Sequence, residues 1–426
     1  MKDPYSWPGQ ATELVMRDAQ IALDECGCLP WEWASFGYPG RAPLPIALKA
    51  LTLAQKINPN NIGDHSLPFR QAGYKQTEHG FDGTQRLERE AIARLAQLAG
   101  GDPSTIGGYL CEGGTTANLA GLWMGRNYLR TQPGAKRTVI ITTRLAHYSI
   151  LKAADILGFN PNDIIYAPCN RSGGISVCDI TELASRLHSE SVTGLLFVCT
   201  AGSTMMGSVD DVSQVNELRA GLRLAGISTY IHVDAAFGGL VLPFLDKPVR
   251  FGFDQGADSV VIDPHKMGGV PFGCGAILYQ EQYAGPVAVK APYLNSEQDW
   301  TINGSSSGAN AVALWAVLEE QGFNQLAKCV QQCIALRDYA SEQLDQVDHF
   351  QVHVGQTNQL CLEITDLSVV ERLATRVCNH PYYMHVAPFP KRFDDPNCQE
   401  GRALKMILMP HHTKQMVDKF VRQVKL

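Results

Sequence analysis

The feature that most limits the fold of this chain is a series of short apolar runs at residues 138–142, 164–166, 195–199, 230–233, 259–262 and 275–279, alternating with helical segments. These runs are apolar on both faces, so neither face of the resulting strands can lie in water. Strands of that kind belong in a mostly parallel sheet covered by helices on both sides. Helical spacing over 85–98 and 115–130, and again over 308–320 and 326–344, supplies helices of this kind. Runs at 360–364 and 405–409, with a closing helix from about 413, predict a small C-terminal α/β domain. Residues 1–83 are rich in Pro, Gly and Asn and read as irregular, apart from a helical patch at 11–25. Within them, 60–84 reads as a long loop of the kind that walls a site. The division expected is therefore 1–83, 84–322 and 323–426.

With 426 residues, 45% of them apolar, the chain can bury a large core. A net charge of −6, with no long Lys/Arg run, argues against nucleic acid or an anionic membrane as partner. The first residues, MKDPYSWPGQ, do not pair a basic start with an apolar run, and no apolar stretch is long enough to span a bilayer. The expectation is a cytoplasmic protein whose twelve cysteines are mostly small core residues. Neither Cys26 with Cys28, nor Cys329 with Cys333, nor adjacent His411 and His412 gives a metal-ligand spacing, so no metal is expected.

In an open parallel sheet, ligands bind outside the carboxyl ends of the strands, and four chemically distinct motifs fall there. DSVVIDPHKMG (258–268) delivers His265 and Lys266 to a strand end. A lysine desolvated in such a place can condense with an aldehyde, although most lysines are simply solvated. HVDAAFGG (232–239) sets Asp234 at the end of a second apolar strand. There it needs a positive partner, and a protonated pyridinium nitrogen would be one. CEGGTTAN (111–118) is a glycine turn opening a helix, an anion cradle or an ordinary cap at Thr115. It is neither a P-loop nor a dinucleotide fingerprint. AHYS (146–149) places His147 where an imidazole could stack on a ring, or merely fill a core.

Together with GYLCEGGTTAN, AHYSILKAADILG and AGSTMMGSVDD, the HVDAAFGG and DPHKMG motifs resemble the group II pyridoxal 5′-phosphate (PLP)-dependent amino acid decarboxylases. Within that group the archaeal tyrosine/aspartate decarboxylases are most similar. The resemblance covers roughly residues 80–310 and resumes weakly near the C-terminus. It implies fold type I (aspartate aminotransferase-like), with a seven-stranded sheet, and a homodimer whose sites lie at the subunit interface. By the same resemblance Lys266 would carry PLP, Asp234 would meet its ring nitrogen, and Ala236 and His147 would flank the ring. Gly114, Thr115 and His265 would hold the phosphate, with Ser305 arriving from a second subunit. Thr204 would stand near the cofactor phenolate and the substrate carboxylate. Tyr293 would be the proton donor, with His147 second.

The chain departs from the family in three places. Thr116 stands where relatives carry Glu, and Ser306 occupies a segment that commonly holds Arg. Lys405 replaces an Arg that meets the substrate carboxylate, keeping the charge but losing the bidentate fork. Arg402 is a possible substitute for that arginine. The expected reaction is decarboxylation of an L-amino acid, aromatic or acidic. Tyr38, Phe69 and Tyr74 would suit an aromatic substrate, and Arg70, Lys75 and His79 an acidic one. Alternatives are a carbon–carbon lyase of the sphingosine-phosphate lyase type, an aminotransferase-type activity, and a catalytically weak PLP-binding paralogue.

Overall fold

The computed structural model describes residues 10–26, 33–62, 80–177, 191–294, 297–379, 381–390 and 400–425. The apolar runs form one seven-stranded sheet, made of β1 (Ile106–Cys111), β2 (Arg137–Thr142), β3 (Ile164–Tyr166), β4 (Val192–Thr200), β5 (Ser228–Asp234), β6 (Ser259–Ile262) and β7 (Gly275–Gln280). Their spatial order is β1-β7-β6-β5-β4-β2-β3. From β6 across to β3 every neighbouring pair is parallel, and β7 runs antiparallel to both β6 and β1. The carboxyl ends of the other six strands therefore share one edge. The mostly parallel sheet is as expected, and the 259–262 strand has the anticipated bounds.

The interior runs are sealed: Leu195, Leu196, Phe197, Val198 and Cys199 of β4, and Val260, Val261 and Ile262 of β6, are all fully buried. Each large apolar side chain so removed from water contributes about 1.5–3 kcal/mol. That burial fixes the strand ends on which the chemistry depends. The helices on the sheet faces include α3 (Asp82–Leu98), α4 (Gly114–Thr131), α5 (Ser149–Ile156) and α6 (Val212–Leu224). β1 was not anticipated, because its glycines mute the strand signal. At Gly108 a Cβ would sit 2.5 Å from the Ile277 carbonyl oxygen, so the bare backbone is what allows β1 to lie there.

Near the N-terminus the expected helical patch is α1 (Thr12–Glu25), and a second helix, α2 (Pro45–Gln55), forms in the segment read as irregular. Pro45 starts α2, since its missing N–H would have no partner there in any case. The two expected later helices run on as α7 (Gly308–Leu344), broken at Gly322, whose backbone (φ 57°, ψ −178°) favours glycine. Beyond it lies a four-stranded antiparallel sheet in the order β8-β9-β11-β10, from β8 (Phe350–Val354), β9 (Gln359–Ile364), β10 (Val386–Pro390) and β11 (Glu400–Ile407). Two of its strands were expected. Helices α8 (Val370–Val377) and α9 (Lys414–Val424) complete this region. Most of the 60–84 loop, with Phe69, Arg70, Tyr74, Lys75 and His79, lies outside the described residues. Among the described residues, no helix is long and apolar enough to cross a membrane.

Candidate active site

At the shared carboxyl edge of the large sheet is a cavity of about 320 Å³. Nine of the expected site residues line it: Gly114, Thr115, His147, Thr204, Asp234, Ala236, His265, Lys266 and Lys405. Two do not reach it. Tyr293 is 88% exposed on the loop after residue 290. Ser305 lies in a short antiparallel pairing of 60–62 with 305–307, where Asn60 Nδ2 donates to its Oγ at 3.3 Å. Within one chain, neither side chain completes the site.

β5 ends at Asp234, which is 5% exposed. Its Oδ1 accepts from the Ala236 backbone N–H at 3.1 Å, and its Oδ2 from Asn118 Nδ2 at 3.0 Å. Both donors are neutral. β6 ends before Asp263, whose Oδ2 pairs with Lys266 Nζ at 3.0 Å and lies 3.7 Å from His265 Nε2. His265 Nδ1 is 2.8 Å from the Cys274 carbonyl, which can only accept, so Nδ1 carries a proton. Burial holds the His265 imidazole below the usual histidine range, with Asp263 pulling the other way.

The turn between β1 and α4 completes this wall. Gly113 has φ 144°, and a Cβ there would come within 3.1 Å of the His265 ring. A Cβ on Gly114 would sit 2.6 Å from Asp263 Oδ2. Two bare residues thus open the N-terminal end of α4 to the cavity, where unpaired N–H groups favour an anion.

His147 follows β2, its ring 4.2 Å from that of Tyr148. Its Nδ1 is 2.8 Å from Ser149 Oγ. Burial lowers the affinity of this imidazole for a proton, against an opposing effect from Asp234. Lys405 enters from β11 of the smaller sheet, and Arg402 cannot take its place. Three residues apart on a strand, the two project from opposite faces. Ser306 Oγ donates to the Asn61 carbonyl at 2.9 Å, and Thr116 lines the cavity.

Sequence reasoning left Asn118, Ser149, Thr200 and Asp263 without roles. All four stand inside or beside the quoted motifs, yet their partners lie as much as 116 positions away along the chain. Thr200 Oγ1, at the cavity wall, and Asp263 Oδ1 are buried without a hydrogen-bond partner among the described residues. Among those residues, no three metal-ligating side chains cluster.

A buried carboxylate with only neutral donors, an amine on a neighbouring strand end and an open helix N-terminus fit one group: a cationic ring bearing an aldehyde and a phosphate. Known proteins point the same way. The chain is 30% identical over 381 residues to a probable L-tyrosine/L-aspartate decarboxylase of Methanosphaerula palustris, covering 89% of each. It is 27% identical over 386 residues to a protein of the same description from Methanosphaera stadtmanae, covering 89% of this chain and 88% of that one. L-Methionine decarboxylase from Streptomyces sp.590 superposes with a TM-score of 0.78 at 17% identity, over 99% of this chain and 97% of that one, a likeness of fold. The architecture is fold type I. The model of the pyridoxal-dependent decarboxylase conserved domain matches residues 93–362, and this chain belongs to that family of PLP-dependent enzymes.

Proposed function

We propose that this enzyme decarboxylates an L-amino acid with an acidic or aromatic side chain, in a cytoplasmic homodimer. The observation that carries the reading is that Asp234 and Lys266, from different strands, line the same cavity. The names of the archaeal relatives support the choice of substrate class. Among the described residues no arginine lines the cavity, which disfavours a phosphorylated substrate of the lyase type. The exposed Leu14, Val15, Met16, Ile21 and Leu23 of α1 support a second subunit, as does the distance of Ser305 and Tyr293 from their own cavity. Among the described residues nine cysteines are free, most of them buried, which supports a reducing compartment. The break at Gly322 supports a boundary between a large PLP-binding domain over 84–322 and a small domain over 323–426.

Lys266 would hold the cofactor aldehyde, Gly114, Thr115 and His265 its phosphate, and Asp234 its ring nitrogen. Ala236 and His147 would take the two ring faces, and Thr204 the phenolate side. When bound, PLP supplies a carbonyl that condenses with amines and a ring that accepts the electron pair left as CO₂ departs. Asp234 would set its carboxyl group beside that ring nitrogen and so favour the cationic ring. Lys405 would offer its ammonium to the substrate carboxylate and so orient the substrate in the cavity. His147 lines the cavity and would be the group that delivers a proton to the carbon from which CO₂ departs. Tyr293 could do so only from a second subunit.

A screen of the twenty L-amino acids for CO₂ release in the presence of PLP tests the reading. Release from aspartate, glutamate, tyrosine or another aromatic amino acid is expected. Release from none, with aldehyde formed from a phosphorylated amino alcohol, would overturn it.

A further inference from the structure

Behind the cavity runs a buried polar chain whose hydrogen bonds can be oriented from end to end. The starting point is the Ser149 backbone N–H, 3.3 Å from His147 Nδ1. A backbone N–H only donates, so Nδ1 is an acceptor, and the neutral ring carries its proton on Nε2. The Ser149 hydroxyl, 2.8 Å from the same Nδ1, must also donate to it. That leaves the Ser149 oxygen free to accept from Asn118 Nδ2 at 3.0 Å. The second proton of this amide goes to Asp234 Oδ2 at 3.0 Å, which as a carboxylate only accepts.

The Asn118 amide is thereby locked with its oxygen toward His232 Nε2, 2.9 Å away. His232 must then carry its proton on Nε2, leaving Nδ1 to accept from Ser259 Oγ at 2.7 Å. Every proton in the chain has one place. Asn118 is 1% exposed, and His232, Ser149 and Ser259 are fully buried, so water does not compete for these bonds. Gly121 makes room for the arrangement, because any Cβ there would collide with the His232 ring.

We infer that Asn118, Ser149 and His232 are positioning residues: through this directed chain they fix His147 with an Nε2–H, rather than a lone pair, toward the cavity, while the same Asn118 amide orients the Asp234 carboxyl group. One amide thus links the groups proposed to meet the cofactor ring at its nitrogen and on its face. The inference rests on the proposed PLP site for its catalytic meaning, but not for its geometry. The charged groups facing His147 are Asp234, Lys266, Asp263 and Lys405. None of them touches Nδ1, so its proton state is left to Ser149.

The test is nitrogen NMR of the full-length protein labelled with ¹⁵N-histidine, with and without PLP, assigning His147 by the signals lost in His147→Gln. His147 should show a bare Nδ1 and a protonated Nε2 in both samples. Ser149→Ala should mix the two tautomers, and Ser149→Thr, which keeps the hydroxyl, should restore one. With PLP and substrate, Ser149→Ala should lower kcat about tenfold, the effect of one hydrogen bond to a reacting group, with KM little changed. A wild-type His147 protonated on Nδ1 would overturn the inference, and so would a Ser149→Ala spectrum identical to wild type. Because the tautomer is read without cofactor, that failure is separable from failure of the PLP reading, which would appear as an unaltered cofactor spectrum in Lys266→Ala.

Discussion

Two lysines face the same cavity from two different sheets, and their surroundings differ. Lys266 stands beyond the end of β6 with Asp263 at 3.0 Å and a side chain 24% exposed. Lys405 stands inside β11, and among the described residues no carboxylate lies within ion-pair distance of it. Burial, and secondarily Lys266, push its ammonium down to about 8. A lysine held by its own carboxylate already has its anion. A half-buried lysine without one is a charge awaiting an anion from outside. The difference supports the proposed division of roles, in which Lys266 would anchor the cofactor and Lys405 would receive the substrate carboxylate.

The largest effect that can break this division is on turnover. Lys266→Ala should lower kcat by about four orders of magnitude or more and abolish the visible cofactor band, as read by stopped-flow absorbance. Lys405→Met should lower kcat/KM roughly 30- to several-thousand-fold, the loss expected when one partner of a buried charge pair is removed. Lys405→Arg should retain most activity. If the two lysine variants lose activity equally and both lose the visible band, the assignment of roles is wrong.

Lys405 also makes opposite predictions for stability and for binding. Its folded pKa, about 8, lies below its ordinary value of 10.5, so the unfolded chain binds more protons between those values. This group therefore opposes folding fully below pH 8, and the penalty fades as pH climbs toward 10.5. Lys405→Met should accordingly be more stable than wild type at pH 7, by on the order of 3 kcal/mol, measured by urea unfolding. Substrate affinity should behave the other way. It needs the ammonium, so KM should rise as pH passes through about 8 from below, and Lys405→Arg should move that rise to higher pH. The smallest effect concerns the anchor: Asp263→Asn should weaken PLP binding about tenfold in an absorbance titration, by removing one charge-assisted contact to Lys266.

How much of this was legible in the chain follows from how each part is encoded. The large sheet was readable because strands buried on both faces must be apolar throughout, as 195–199 is. β1 was not, since IGGYLC hides a strand behind two glycines needed for close approach. Asp234, Lys266 and His147 were readable because a strand end puts such groups beside one another. Asn118 and Ser149 were printed in the same motifs, but their role lies in bonds across the sheet that no local pattern records. Tyr293 was assigned by position in a loop, and a loop position does not say whether the side chain reaches the cavity of its own chain. For Arg402 the alternation of β11 decides, and that required knowing the strand.

The most direct test of the central claim is to load the enzyme with PLP, reduce it with borohydride and map the modified peptide by mass spectrometry. Cofactor fixed to Lys266 alone, with Lys405 unmodified, is the predicted result. Cofactor on Lys405, or on neither lysine, would contradict it.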